Sequence, residues 1–233
     1  MEQAKSLSNA EIRKIISVDR ERTNILKQSE QQTIAFLVKR LPTWLSPNML
    51  TSIGFSGNIL TFISFVLATY INVNFLLLGV VGYVINWFGD SLDGRIAYYR
   101  QKPRKWYGFA LDMTIDWLGI LLMGFGFVVY AEGPWEMVGF GFVVLYGWEM
   151  ITTLLRYKIT GKYSIDSGAF GPTEVRIVIS LILILEIFIK DSILYISAIA
   201  TAVLFIINIV DTRKLLKLAD ECDIREKEQT GNK

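Results

Sequence analysis

No histidine occurs anywhere in the 233-residue chain, and cysteine occurs once. The first absence excludes histidine-based catalysis and histidine ligation of a metal, so any metal must be held by oxygen. The second excludes an internal disulfide, the lone Cys222 lying in a polar tail. Charge is also scarce: 20% of residues are charged against 52% hydrophobic, and no charged residue falls from Leu41 to Gly89. A globular chain does not bunch its charges in this way, and the composition is that of an integral membrane protein. The net charge of +2 points to no particular partner, and nucleic acid is not expected as one. The opening MEQAKSLSNAEIRK has no short apolar core, so no cleaved signal peptide is expected.

What is present is a succession of apolar runs of the length that crosses a bilayer, ~20 residues each. The uncharged stretch from Leu41 holds two, divided by the polar INVN at 71–74. Four more run over about 107–131, 137–155, 175–189 and 192–210. The expected fold is therefore all-α and polytopic, with six transmembrane helices. Before them, QQTIAFLVKRLPTW alternates apolar and polar residues at helical spacing beside Lys39 and Arg40, as an interfacial amphipathic helix does. A plain positively charged anchor is the alternative. The expected division is a cytoplasmic N-terminal segment over 1–40, a membrane domain over 41–211 and a cytoplasmic polar tail over 212–233. Six spans put both termini on one side. Of the 24 Lys and Arg residues, Lys190 alone falls in the short turns of the other side. That asymmetry predicts cytoplasmic termini and cytoplasmic loops around 95–105 and 156–176.

Between the second and third runs lies DSLDGRIAYYRQKPRKWYGFALDMTID, with four carboxylates, two glycines and five basic residues in 27 positions. On a helix Asp90 and Asp93 share a side with Gly94 and Ala97, and Gly108, Asp112 and Asp116 recur every four residues. The connection is short, so the two helices run antiparallel and their acids face one another. Four like charges so close need neutralising, and a divalent cation that prefers oxygen, Mg²⁺ or Mn²⁺, does so most simply. The glycines and Ala97 leave room for a ligand, and Arg95, Arg100, Lys102, Arg104 and Lys105 are candidates to receive phosphate. The alternative makes the basic residues topology determinants only.

The run Asp90, Asp93, Gly94, Ala97, Gly108, Asp112, Asp116 resembles the signature of the CDP-alcohol phosphotransferases, six-helix membrane enzymes of phospholipid synthesis. Tyr98 stands where that signature has arginine, and nine residues rather than eight precede Gly108; Arg100 is a candidate for the missing guanidinium. WLSPNMLTSIGF at 44–55 and GPTEVRI at 171–177 are similar to further segments of some members. The resemblance implies metal-dependent transfer of a substituted phosphate from a CDP-linked donor to an alcohol acceptor, with release of CMP. By matching positions it implies metal binding by Asp90, Asp93 and Asp112 with Asp116 beside them, and Asp116 as general base. It also implies a nucleotide site of Asn48, Thr51, Asp93, Gly94, Ala97 and Gly108, and a homodimer in the bilayer.

Arg100, Arg104, Glu174 and Arg176 are candidates for phosphate or acceptor contacts, and Glu149, in the fourth span, for the acceptor head group. Glu174 and Arg176 as a salt-bridged helix start is an equal alternative, and Glu186 reads as structural. GFGFVV occurs twice, at 124–129 and 139–144, where glycines permit close helix contact within a subunit or across a dimer. Two other readings stay open: a carboxylate-lined cation transporter, and a family relative that has lost activity. Whether the lipid is carried by the donor or by the acceptor also stays open.

Overall fold

The computed structural model describes residues 25–161 and 171–231, and these are helical throughout apart from short connections. In chain order the helices are α1 (Lys27–Arg40), α2 (Pro47–Tyr70), α3 (Leu76–Tyr99), α4 (Lys105–Tyr130), α5 (Glu136–Thr160), α6 (Pro172–Phe188) and α7 (Ser192–Gly231). Their ends follow from local chemistry. At α2 the Ser46 hydroxyl accepts from the Met49 amide at 3.2 Å, and Pro47, which has no N–H to lose, opens the first turn. The turn before α3 is closed by the Asn72 side chain, which accepts from the Asn74 amide at 2.9 Å. Gly161 ends α5 in the left-handed region, φ 68°, where a side chain would be strained.

Five of these helices, α2, α3, α4, α5 and α7, are long and apolar enough to cross a membrane. Six were expected from the sequence; α6 is as apolar but has 17 residues. It still reaches from one half of the bundle to the other. Arg176 in its first turns bonds Asp90, while Glu186 in its last turn bonds Tyr130, Ser192 and the amides of Asp191 and Ile193. Helix α7 continues past the apolar run through Gly231 without a break. The outer faces carry apolar side chains such as Leu77, Val81 and Val84 of α3 and Ile199, Val203 and Ile206 of α7, a surface suited to hydrocarbon.

Helix α1 has the amphipathic character expected of it, and its apolar stripe is covered by protein. Ile34, Ala35 and Val38 pack with Leu45, Leu50, Leu92 and Ile96. Beside them Glu30 and Arg95, both buried, form an ion pair at 3.4 Å. The N-terminal part of the segment, residues 1–24, and the 162–170 part of the second expected loop lie outside the described residues.

Helices α2 and α3 meet along a seam of small residues in antiparallel register. A methyl on Gly54 would lie 3.1 Å from the Asp90 amide, and one on Gly57 2.6 Å from the Asn86 amide. One on Gly82 would lie 2.5 Å from the Thr61 hydroxyl, and one on Gly79 2.7 Å from that of Ser64. The steps of three and four residues on both strands of the seam are those of two helices crossing at a shallow angle. Helix α4 is laid against α2 by Gly119 at the Asn58 amide group and by Gly126 under the Phe65 ring. The repeated GFGF glycines act within the chain: Gly124 and Gly139 bring α4 and α5 together, a methyl on Gly139 falling 3.3 Å from the Gly124 carbonyl.

Gly57 faces backbone, which cannot yield as a flexible side chain does. Gly57→Ala is therefore expected to force α2 and α3 apart and to cost roughly 1–3 kcal/mol. In a thermal-unfolding measurement of the detergent-solubilised protein, this lowers the midpoint by several degrees. Gly108→Ala, where the space is open, leaves it unchanged; equal midpoints for both variants would refute the seam.

Candidate functional site

The α2–α3 seam delivers Asp90, on the turn after Asn86, to the side of Gly54, and the α2–α4 contacts continue at the same depth to Asp112 and Asp116. Asp90, Asp112 and Asp116 each offer one carboxylate oxygen, and the three atoms lie within 4.8 Å of one another. All three side chains are half-buried. Carboxylates this close repel, the more so away from bulk water.

One guanidinium offsets part of that charge. Arg176 of α6 donates from Nη2 to Asp90 Oδ2 at 2.6 Å and from Nε to Asn86 Oδ1 at 2.7 Å. Asn86 in turn donates to the Gly54 carbonyl at 3.2 Å. Arg176 is thus fixed through Asn86 to the seam itself. Glu174, two residues earlier, does not pair with it. Its carboxylate accepts from the Leu26 amide at 2.8 Å and the Gly171 amide at 3.0 Å, capping α6 and tying down the start of α1. The salt-bridged helix start that the sequence allowed is replaced by these two contacts, because Asp90 offers Arg176 a stronger partner than a carboxylate already engaged by backbone N–H groups.

Asp93 turns from the other three toward α2. It accepts from the Thr51 hydroxyl at 2.6 Å and from the Gly94 amide. Gly94 and Ala97 follow along α3, half-buried, and Gly108 at the start of α4 has nothing within 4 Å of the position a side chain would take. Beside this open space Asn48 donates to the Tyr107 hydroxyl at 3.2 Å and accepts from Arg104, whose guanidinium lies 4.0 Å above the Tyr107 ring. Contacts from Asn48 to Tyr107 and Arg104, and from Thr51 to Asp93, thus tie the start of α2 to the end of α3 and the start of α4.

Two basic residues expected near phosphate are held elsewhere. Arg100 donates to the Leu45 carbonyl at 2.6 Å and the Pro42 carbonyl at 2.8 Å, bracing the α1–α2 connection. Arg95 is buried against Ser91 and Glu30. Arg176 reaches Asp90 and Arg104 reaches Asn48. Asn86 and Tyr107 were not singled out in the sequence. A polar Asn86 one turn before Asp90, inside an apolar run, was the available signal for the first; Tyr107 carried none.

The acid cluster is an all-oxygen donor set drawn from two helices, with one cation already beside it. That set fits a hard divalent ion, Mg²⁺ or Mn²⁺, and offers nothing to a metal that prefers sulfur or nitrogen.

No curated protein matches the chain. Residues 44–210 match the model of the CDP-alcohol phosphatidyltransferase family, a span that takes in the α2 start, the seam, the three gathered aspartates and Arg176. With most of its length matched, the chain belongs to the CDP-alcohol phosphatidyltransferase family, enzymes of phospholipid synthesis.

Proposed function

We propose that this protein transfers a substituted phosphate from a CDP-linked donor to an alcohol acceptor and releases CMP, using Mg²⁺ or Mn²⁺. The observation that carries this reading is the convergence of Asp90, Asp112 and Asp116. Asp90, Asp112 and Asp116 are the residues that would hold the metal, with Asp93, oriented by Thr51, beside them. When bound, such an ion neutralises the diphosphate as CMP departs.

The chain's own groups divide the remaining work. Thr51 holds the Asp93 carboxylate in one orientation through its hydroxyl. Arg176 and Arg104 present guanidinium forks suited to phosphate oxygens. The missing side chain at Gly108 and the small Gly94 and Ala97 admit the nucleotide close to the backbone. Asp116 is the general base: a carboxylate within hydrogen-bond reach of the acceptor hydroxyl takes its proton as the oxygen attacks phosphorus.

The reading includes six crossings. Seventeen residues of α6 rise about 25 Å, close to the ~30 Å hydrocarbon core, and its contacts at both ends of the bundle support a full traverse. Six crossings and the position of Lys190 support a cytoplasmic location for the acids and both termini. A cation transporter is less well supported, because the acids gather toward one end of the bundle rather than around a helix broken at its middle.

Release of CMP from a CDP-linked lipid or alcohol by the purified protein, dependent on Mg²⁺ or Mn²⁺, tests the function. A protein that binds Mn²⁺ yet releases no CMP from any donor would be an inactive relative. Asp90→Asn and Asp112→Asn should each abolish CMP release and weaken Mn²⁺ binding, measured by electron paramagnetic resonance, while the protein still purifies as a folded species. Full activity in either variant rules out the metal assignment. Asp116→Asn should lower turnover by roughly 10²–10⁴-fold with donor binding retained. Loss of donor binding together with turnover would instead make Asp116 chiefly a metal ligand.

A further inference from the structure

Helix α1 lies outside the residues that match the family model, 44–210, yet its first turn is bonded both to the helix that carries Asp90 and to the helix that carries Arg176. The Leu26 amide, at the start of α1, donates to Glu174 Oε1 of α6 at 2.8 Å. One turn on, the Glu30 amide donates to the Leu26 carbonyl at 2.9 Å, and the Glu30 carboxylate pairs with Arg95 of α3 at 3.4 Å. Arg95 stands five residues after Asp90 on α3, and Asp90 accepts from Arg176 of α6 at 2.6 Å. Arg176 in turn stands two residues after Glu174. The contacts close a ring that runs from α1 to α6, to α3 and back to α1.

Glu174 is the member of this ring that holds α1 and α6 together. Its side chain is buried, and its second oxygen accepts from the Gly171 amide at 3.0 Å. Both bonds are charge-assisted and directional, and a buried amide that lost its carboxylate would go unsatisfied. Residues two apart on a helix point about 200° away from each other. Glu174 therefore grips α1 on one side of the opening turns of α6 while Arg176 reaches Asp90 and Asn86 on the other. Helix α1 is itself seated on α3, where Ile34, Ala35 and Val38 pack with Leu92 and Ile96, so the grip is anchored to the helix that carries Asp90.

We infer that Glu174 is a positioning residue for Arg176, and that the first turn of α1 is through it part of the framework of the site. This rests on the proposed role of the acid cluster and of Arg176, and extends it to a helix outside the matched span. Arg176 touches the acids; Glu174 acts through Arg176. When the brace is loosened the guanidinium no longer stays on Asp90. The cluster then carries less compensating positive charge and binds a divalent cation more tightly. The donor phosphate at the same time loses a fork held in one place, and turnover falls.

The test uses the full chain in nanodiscs with two readouts. Mn²⁺ affinity is measured by electron paramagnetic resonance. CMP release is measured from CDP-diacylglycerol with glycerol 3-phosphate, inositol or serine, and from CDP-ethanolamine with diacylglycerol. Arg176→Met should tighten Mn²⁺ binding about tenfold or more, since a cation has left the cluster. Glu174→Ala should tighten it about threefold and lower kcat/KM about tenfold, and Glu174→Gln, which keeps one oxygen acceptor, should do less of both. Leu26→Pro removes only the donating N–H, at a position whose φ of −84° suits proline. It should repeat the Glu174→Ala result from the α1 side, and it carries the test if Glu174→Ala does not fold. In the Arg176→Met background Glu174→Ala should change Mn²⁺ affinity by less than about twofold, because its effect runs through the guanidinium. An Mn²⁺ affinity unchanged in either variant that folds, or an effect of Glu174→Ala that persists in full without Arg176, as that of a merely structural residue would, overturns the inference and leaves the transferase reading intact. The expected Mn²⁺ shifts without CMP release from any pair overturn the transferase reading and leave the brace standing. A wild-type protein that binds no Mn²⁺ overturns both.

Discussion

The gathering of the aspartates depends on how closely α2 and α3 approach. Apolar side chains gain little by leaving lipid for a neighbouring helix, so helices in a bilayer are held by close packing and polar contacts. Gly54, Gly57, Gly82 and Gly89 remove the side chains that would keep the two backbones apart. The contact then sets a register. Gly54 lies against the Asp90 amide, Thr51 reaches Asp93, and Asn86 bonds back to the Gly54 carbonyl. Once α4 rests on α2 through Asn58 and Phe65, Asp112 and Asp116 arrive at the depth of Asp90 without further adjustment. A shift of one residue in the seam would carry Asp90 to another face of the bundle.

The acids of the membrane-embedded part fall into two kinds by what they meet. Glu186 accepts from the Tyr130 and Ser192 hydroxyls and the Asp191 and Ile193 amides, closing the α6–α7 turn. Glu174 is satisfied by two backbone amides. Those carboxylates are explained by the fold. Asp90, Asp112 and Asp116 converge on one another with one guanidinium at their edge, an arrangement that folding alone does not favour. Carboxylates gathered in this way can hold a divalent cation.

Several residues whose chemistry was plain in the sequence had destinations that were not. Arg100 lay two positions from the missing signature arginine, yet it braces Leu45 and Pro42, because the chain turns at residues 100–104 and points its side chain back at the α1–α2 connection. Arg176 was one phosphate candidate among several. Its partner Asp90 lies 86 positions away, and nothing local to either residue links them. The steps of three and four from Gly79 to Gly89 were present in the sequence, but their meaning needed the matching steps on α2.

What the sequence determined alone was whatever a single helix carries within itself. Runs of apolar residues long enough for the bilayer placed the spans, helical spacing put Asp90 beside Asp93 and Asp112 beside Asp116, and Ser46 with Pro47 marked a helix start. That any metal would meet oxygen rather than imidazole followed from composition, since the chain has no histidine. Only the tertiary structure decided that Asp90 rather than Asp93 joins Asp112 and Asp116, and that Arg176 bonds Asp90. Helical periodicity is fixed residue by residue through the backbone, so a sequence displays it directly. The relative slide of two helices is fixed by many contacts at once, and it appears only when both surfaces are brought together.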